Sequence, residues 1–216
     1  MNTVPTKVLA GVVVPDTPLV AQAMDYARTI SAPYLFNHAV RSWLFAAQLG
    51  QLRDVDHDAE VVAVGTLLHD IGLTDSVTGP RRFEIEGADV ARTFVRERGF
   101  DERRAQLIWD SVALNSTPSI GLFKEAEVAL CTAGIGLDFG GRSFDEIPTS
   151  TMKAILDAFP RLQMKKRITD CFCCIIETKP ETTYDNFARD FGEKFVAGYR
   201  RPSSVVDFLM NSPFEE

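Results

Sequence analysis

Two of the three histidines in the 216-residue chain stand among residues that could hold a metal ion. His38 lies in Phe36-Asn37-His38-Ala39-Val40-Arg41-Ser42-Trp43, and His69 adjoins Asp70 in Thr66-Leu67-Leu68-His69-Asp70-Ile71-Gly72. A His-Asp dipeptide inside a strongly apolar helix is costly unless the buried charge is compensated, which a divalent cation does well. Imidazole nitrogens and carboxylate oxygens together suit zinc, iron(II) or manganese, and a catalytic centre leaves positions open for water or substrate. On this reading His38, His69 and Asp70 supply three ligands. Asp138 is a fourth candidate, because a carboxylate is out of character at the end of an apolar helix through Val128, Leu130, Ala133 and Ile135. The alternative is that Asp138 faces solvent as that helix stops at Gly140-Gly141. The third histidine, His57, lies in an Asp-rich turn and is expected at the surface.

The elements that must carry these residues are helical. Apolar residues recur at three- and four-residue spacings, with Gly or Pro between the periodic segments and no convincing hairpin, so the expected class is all-α. Residues 1–15 read as an arm rich in Val and Pro. Asp16-Thr17-Pro18 supplies a cap and a pre-set first turn for a helix carrying Leu19, Val20, Ala23, Met24, Ala27 and Ile30, ending near Ser31. Pro33 opens the next helix, which runs through Phe36, Val40, Trp43, Leu44 and Ala47 to Gly50 with His38 in its first turns. Asp54, Asp56 and Asp58 suit the positive end of a third helix, through Val61, Val64, Leu67 and Leu68 to Gly72. His69 and Asp70 fall in its last turn. Further helices are expected over 86–98, 101–115, 123–137, 151–159, 162–179, 184–197 and 203–210, with loops at 74–80, 118–121 and 140–148.

With 45% hydrophobic residues the chain can bury one sizeable core, and a single domain over residues 1–216 is expected. Its metal-binding core would cover about 17–140 and its C-terminal helices about 149–211. The net charge of -7 argues against a nucleic-acid backbone or an anionic membrane as the main partner and favours a small neutral or cationic ligand. No apolar run approaches the ~20 residues that cross a bilayer, and the N-terminus lacks the basic and then apolar pattern of a secretory signal. A soluble, cytoplasmic protein is the expectation. Cys171, Cys173 and Cys174 form a Cys-x-Cys-Cys run that matches no common zinc pattern, so these and Cys131 read as reduced, buried thiols. The apolar C-terminal helices could form a homodimer interface as readily as finish the core.

An adjacent His-Asp followed by Ile-Gly, with an earlier helical histidine and a later aspartate, resembles the HD-domain superfamily of metal-dependent hydrolases. Within it the chain is most similar to the cyanamide hydratase group of fungi and bacteria. The likeness is carried by Tyr34-Leu35-Phe36-Asn37-His38 with Arg41-Ser42-Trp43, Leu67 to Gly72, Arg82-Phe83-Glu84-Ile85-Glu86-Gly87-Ala88, Ile108 to Leu114, Ala133 to Asp138, and Lys179 to Phe187. The resemblance implies a helical bundle and one divalent metal ion, zinc first with iron or manganese as alternatives. It implies that residues matching His38, His69, Asp70 and Asp138 hold that ion, and that water adds across a nitrile triple bond to turn cyanamide into urea. One departure stands out: after Ala113-Leu114 the group usually carries a histidine, and this chain has Asn115. An amide can hydrogen-bond a substrate but cannot take up a proton near neutral pH. The alternative is that Asn115 caps the helix before Ser116.

On a nitrile-like substrate Asp70 would orient the water and relay its proton, and Asn115 or Thr74 would hold the substrate's amine. Phe83 could wall a small pocket and Glu84 accept hydrogen bonds from an amine; the simpler reading is that both open a helix. Trp43 and Trp109 read as core. Two other functions fit the same residues. A phosphohydrolase acting on a nucleotide or small phosphomonoester would use Arg81 and Arg82 as a clamp, although both are isolated in an acidic chain. A non-catalytic binding module would keep the metal as a prop, although structural zinc sites are normally closed by four ligands, mostly Cys and His.

Overall fold

The computed structural model describes residues 4–201 and 204–214. Residues 1–3 of the expected arm, Ser203 of the expected last helix and the chain's final two positions lie outside the described residues.

The first element corrects the expectation of an irregular arm. Strands β1 (Thr6–Leu9) and β2 (Val12–Pro15) form an antiparallel hairpin with Thr6 opposite Pro15 and Leu9 opposite Val12. Ala10 and Gly11 both take positive φ, 47° and 83°, which a two-residue turn matching the twist of its strands requires. Val12 and Val14 are buried and Val13 is exposed, the alternation of a strand with one face on a core. The hairpin is the one sheet among the described residues, and the class is all-α.

The helices are α1 (Pro18–Ile30), α2 (Pro33–Leu52), α3 (Ala59–Leu67), α4 (Phe83–Arg96), α5 (Glu102–Ala113), α6 (Pro118–Gly121), α7 (Ala126–Gly140), α8 (Thr149–Ala158), α9 (Met164–Thr178), α10 (Ala188–Phe195) and α11 (Val205–Met210). Short 3-10 turns lie at Ile71–Leu73, Phe144–Glu146 and Pro180–Thr182. Several starts follow local chemistry. The Thr17 hydroxyl accepts from the Val20 N–H, and the Asp58 carboxylate accepts from Glu60 and Val61. Asp101 caps α5 in the same way through Arg104.

The boundaries differ from expectation where tertiary contacts overrule periodicity. α3 stops at Leu67 instead of reaching Gly72, so His69 and Asp70 lie beyond its end. Residues 118–121, expected as loop, wind into the short α6, and α7 begins at Ala126 rather than at Phe123. α4 begins earlier than expected, at Phe83, and α10 later, at Ala188.

Two compact units divide the chain between Arg167 and Ile168. In the first, α2 is buried along most of its length and packs against α7 and α3, while α5 lies against α3, α4 and α7. The α2–α7 contact is unusually close at Gly134, where an added Cβ would lie 2.3 Å from the Ser42 carbonyl oxygen and 2.6 Å from the Ala46 nitrogen. Only a residue without a side chain lets the two backbones approach this far. In the second unit Phe172 meets Phe187 and Phe191 with ring centroids 4.9 Å apart in each pair. α11 is closed by a capping box between Ser204 and Asp207, with Val205, Phe208, Leu209 and Met210 exposed. No helix of the described residues is long and apolar enough to cross a membrane.

Candidate metal centre

The antiparallel run of α7 along α2, made close by Gly134, sets Asp138 beside His38 and Arg41 one turn further on. The His38 Nδ1–H donates to Asp138 Oδ2 at 2.6 Å, with the Ser42 hydroxyl at 3.4 Å. Nδ1 therefore carries the proton and Nε2 presents its lone pair. His69 reaches the same state by a different route. Its Nδ1–H donates to the Thr66 carbonyl at 2.7 Å, taking an acceptor that a continuing helix would have offered to the Asp70 N–H. The bond that ends α3 thus also orients its histidine.

Both bare nitrogens point at one place. His38 Nε2 and His69 Nε2 lie 3.2 Å apart, and Asp70 Oδ2 lies 3.1 Å from the second and 3.6 Å from the first. Ligand bonds of about 2.1 Å in a tetrahedral arrangement place neighbouring donors about 3.4 Å apart. The observed spacings bracket that value, and two facing lone pairs beside a carboxylate are satisfied by a cation. All three residues are buried, with Asp70 the most exposed at 7%. With no cation between them, His69 Nε2 takes a proton instead: burial opposes the charge, but Asp70 beside it more than compensates and raises the pKa of the imidazole. Burial likewise opposes the Asp70 anion, and the His69 charge and hydrogen bond outweigh it and hold that carboxyl below its ordinary range.

Three of the four expected donors converge, and Asp138 stands apart from them, on the opposite edge of the His38 ring. It is 4% exposed, so it does not face solvent either. Arg41 grips it with a fork, Nε to Oδ1 at 2.7 Å and Nη2 to Oδ2 at 2.8 Å, and Arg161 Nη1 reaches Oδ1 at 3.0 Å. Burial pushes this carboxyl up, but His38 and Arg41 win and hold it well below the usual carboxylate range. Neither arginine was among the sequence candidates. Arg41 carried a signal, since it sits three residues after His38 on the same helix face; Arg161 carried none.

The other expected residues gather around the turn after α3. Asn115 Nδ2 donates to the Val112 carbonyl at 2.7 Å and to the His69 carbonyl at 3.3 Å, so its amide ties the end of α5 to the His-Asp segment. Both N–H groups are thereby used, which leaves the carbonyl oxygen as its acceptor for a ligand. The buried Thr74 hydroxyl donates to Ile71 O at 2.7 Å within the same turn. Phe83 and Glu84 open α4, and their place is set by Gly72, where an added Cβ would fall 1.9 Å from the Phe83 carbonyl oxygen. Glu84 is wholly buried and accepts from Arg82 at 2.7 Å and from the Ser116 hydroxyl at 2.5 Å. Arg81 lies 2.9 Å from both Glu86 and Asp89. His57 is half-buried rather than exposed, because its ring packs under Gly50 and its Nδ1–H donates to Val55 O at 2.7 Å. Trp43 is fully buried, and Trp109 donates to Asp89 at 2.8 Å.

An HD domain model matches residues 35–152, from the first turn of α2 into α8. That is more than half of the chain, and the protein belongs to the HD domain family. The cyanamide hydratases DDI2 and DDI3 of Saccharomyces cerevisiae are each 26% identical to it over 179 residues, covering 79% of this chain and 77% of theirs. With its His-His-Asp cluster, the chain is a metal-dependent HD hydrolase or hydratase.

Proposed function

We propose that the protein adds water to a small nitrile-like substrate, with cyanamide first among candidates and urea as product. The carrying observation is the convergence of His38 Nε2, His69 Nε2 and Asp70 Oδ2 on one point at the spacing of a tetrahedral ion. The likeness to two cyanamide hydratases over most of the chain supports the choice of substrate. Zinc is the leading ion, since a catalytic zinc commonly keeps three protein ligands and an open position; iron(II) and manganese share these ligand types. A divalent ion in this place supplies a water activated near neutral pH and a Lewis acid for the nitrile.

The chain's own residues do the rest. Asp70 takes a proton from the attacking water and passes it to the nitrile nitrogen as that nitrogen gains charge, giving an isourea whose remaining hydroxyl proton then moves to the same nitrogen to leave urea. The Asn115 carbonyl oxygen accepts from the substrate's amine and fixes its orientation, while the Asn115 N–H groups stay on the His69 and Val112 carbonyls. Because an amide cannot carry the proton, Asp70 must. Thr74, Phe83 and Glu84 complete the surroundings, Thr74 through the turn and the other two as the buried end of α4. A small substrate is in keeping with the net charge of -7, which disfavours nucleic acid and anionic membranes. The proposal includes a reducing, cytoplasmic setting and a homodimer formed through the apolar C-terminal segment.

The arginines proposed as a phosphate clamp are held by carboxylates, Arg81 by Glu86 and Asp89 and Arg82 by Glu84, which weighs against a phosphohydrolase. A three-donor cluster likewise weighs against a metal kept only as a prop, which four ligands normally close. The test is urea release from cyanamide by zinc-loaded protein, with His69→Ala as the control. Urea from the wild type alone is the expected result. No urea from fully metallated protein would overturn the choice of cyanamide and move the search to other nitriles, isocyanides and a panel of phosphate esters.

A further inference from the structure

We infer that Arg161, carried on the link between α8 and α9, is a positioning residue of the metal centre and holds its Asp138 side in place. The inference rests on the metal reading of the site, with Asp138 among the residues that hold the ion. The link, residues 159–163, lies past residue 152, where the stretch matched as an HD domain stops. Arg161 Nη1 donates to the Asp138 main-chain oxygen at 3.0 Å and to Asp138 Oδ1 at 3.0 Å. One nitrogen thus fixes both the last turn of α7 and the carboxylate which that turn carries. Asp138 meets His38 at 2.6 Å, so the place where this carboxylate is held decides how the two residues face an ion together.

The link is itself fastened to α2 on both sides of His38. Asn37 Nδ2 donates to the Pro160 carbonyl at 2.8 Å, and Arg41 Nη1 donates to the Phe159 and Pro160 carbonyls at 3.0 and 3.2 Å. The same stretch of α2 therefore supplies a metal donor and the anchors of the link. Just beyond these anchors Leu162 and Gln163 both take left-handed backbone, with φ of 49° and 61°. Residues with a Cβ enter that region at a cost. Leu162 is 42% exposed, so burial of its side chain does not account for the conformation. Such outliers persist where the surrounding contacts over-determine them. Here the contacts are the bonds to α2 and α7, and the bend turns the chain into α9 directly after Arg161 has reached Asp138.

Two effects of Arg161 on a cation oppose each other. Its charge repels the ion, but the side chain is 34% exposed, so water and salt screen that repulsion. Its bonds to Asp138 act at contact and order the carboxylate whatever the ionic strength. Arg41, fully buried, already supplies the compensating charge through its fork. What Arg161 adds is position, and its loss weakens the hold on metal.

Zinc affinity of the full chain, read by chelator competition, tests this, with the Tm of each metal-free protein measured alongside. Arg161→Ala should bind zinc about tenfold more weakly, at the lower end of the range for residues that orient metal ligands. Arg161→Lys keeps a donor for Asp138 and should recover most of that loss. Asn37→Ala loosens the link without touching Asp138. It should weaken zinc by a smaller factor and add nothing in the Arg161→Ala background, because the two residues act in series. Affinity of Arg161→Ala equal to wild type or higher overturns the inference. So do losses that multiply in the double variant, or a loss that Arg161→Lys does not relieve. Should Arg161→Ala fail to fold, Arg161→Gln, which keeps the polar stem, takes its place in the cycle. A wild type that takes up no zinc, or a His69→Ala variant that holds it as tightly, would overturn the metal reading and this inference with it. Zinc bound through His69 with Arg161→Ala unaffected would overturn this inference alone.

Discussion

His38 comes from within a regular helix, whereas His69 and Asp70 come from backbone that has just left one. The first is set by the α2–α7 crossing, where Gly134 lets main chain meet main chain and Asp138 locks the imidazole from behind. The second is set by a tight turn whose carbonyls are taken by side chains, Thr66 O by His69, Ile71 O by Thr74 and His69 O by Asn115. One wall of the site is therefore held by helix packing and the other by a hydrogen-bonded turn. Packing fixes a group by excluding alternatives, while a turn fixes it by a few bonds that a neighbouring residue can adjust. The expectation is that the crossing governs stability and the turn governs chemistry.

The largest effect should come from the group on which both walls converge. His69→Ala removes one of the converging donors and should abolish zinc retention and lower turnover by at least about 10³-fold, on the order of 4 kcal/mol. Metal content after dialysis and urea release measure both losses. A variant that keeps stoichiometric zinc would show that His69 Nε2 is not part of the centre.

The two glycines test the contrast itself. Gly134→Ala pushes a methyl group into the α2 backbone and should cost about 2 to 3 kcal/mol, a fall in Tm of roughly 5 to 10 °C for a chain of this size. Zinc affinity of the surviving folded protein should change less. Gly72→Ala places its methyl against the Phe83 carbonyl and must displace the start of α4, so kcat/KM should fall further than its loss of Tm accounts for. Equal patterns for the two variants, in calorimetry and in steady-state kinetics, would erase the distinction between the walls.

Asn115 lies on the turn side and should show a smaller effect of the same kind. Asn115→Ala removes two amide hydrogen bonds to backbone and one acceptor for substrate, which should lower kcat/KM about tenfold, roughly 1.4 kcal/mol. Asn115→Asp keeps the oxygen acceptors but places negative charge beside the His69 carbonyl, and should do no better. Unchanged kinetics in Asn115→Ala would remove it from the substrate's surroundings and leave it as a helix cap.

The same contrast explains what could be read from residue order. α1 and α2 were legible almost to their ends, because Thr17, Pro18 and Pro33 are local signals. The end of α3 was hidden, since Val61 to Ile71 continues apolar and nothing local says that the His69 ring will take the Thr66 carbonyl. The hairpin was missed because Val12-Val13-Val14 reads as an unbroken apolar run, its alternation appearing only once Val13 is seen outside. Asp138 was singled out as a carboxylate in apolar company, but which atoms it serves depends on Arg41 and Arg161, 97 and 23 residues away in the chain. Spacing reveals that a polar group is out of place; only packing reveals what keeps it there.

Cys131 offers the gentlest probe of the helical wall. It lies on α7 one turn before Gly134, with its sulfur 3.5 Å from the Val62 carbonyl, and burial raises its thiol to about 11 from an ordinary 9.0. A pKa raised on folding gives a contribution that is complete below the unfolded value and is lost as pH rises toward the folded one, because the unfolded thiol ionises first. Wild type should therefore lose stability between about pH 9 and 11 relative to Cys131→Ala, by about 1 kcal/mol at pH 10. Denaturant unfolding of the two proteins at matched pH isolates this thiol from lysines and tyrosines, which titrate in both. The exposed Cys174 should react with a thiol reagent at once, and Cys131 only at the rate at which the α3–α7 contact opens. Fast labelling of Cys131 in the folded protein, or pH curves for the two proteins that run parallel, would mean that this wall opens as readily as the turn opposite and that packing is not what holds His38 in place.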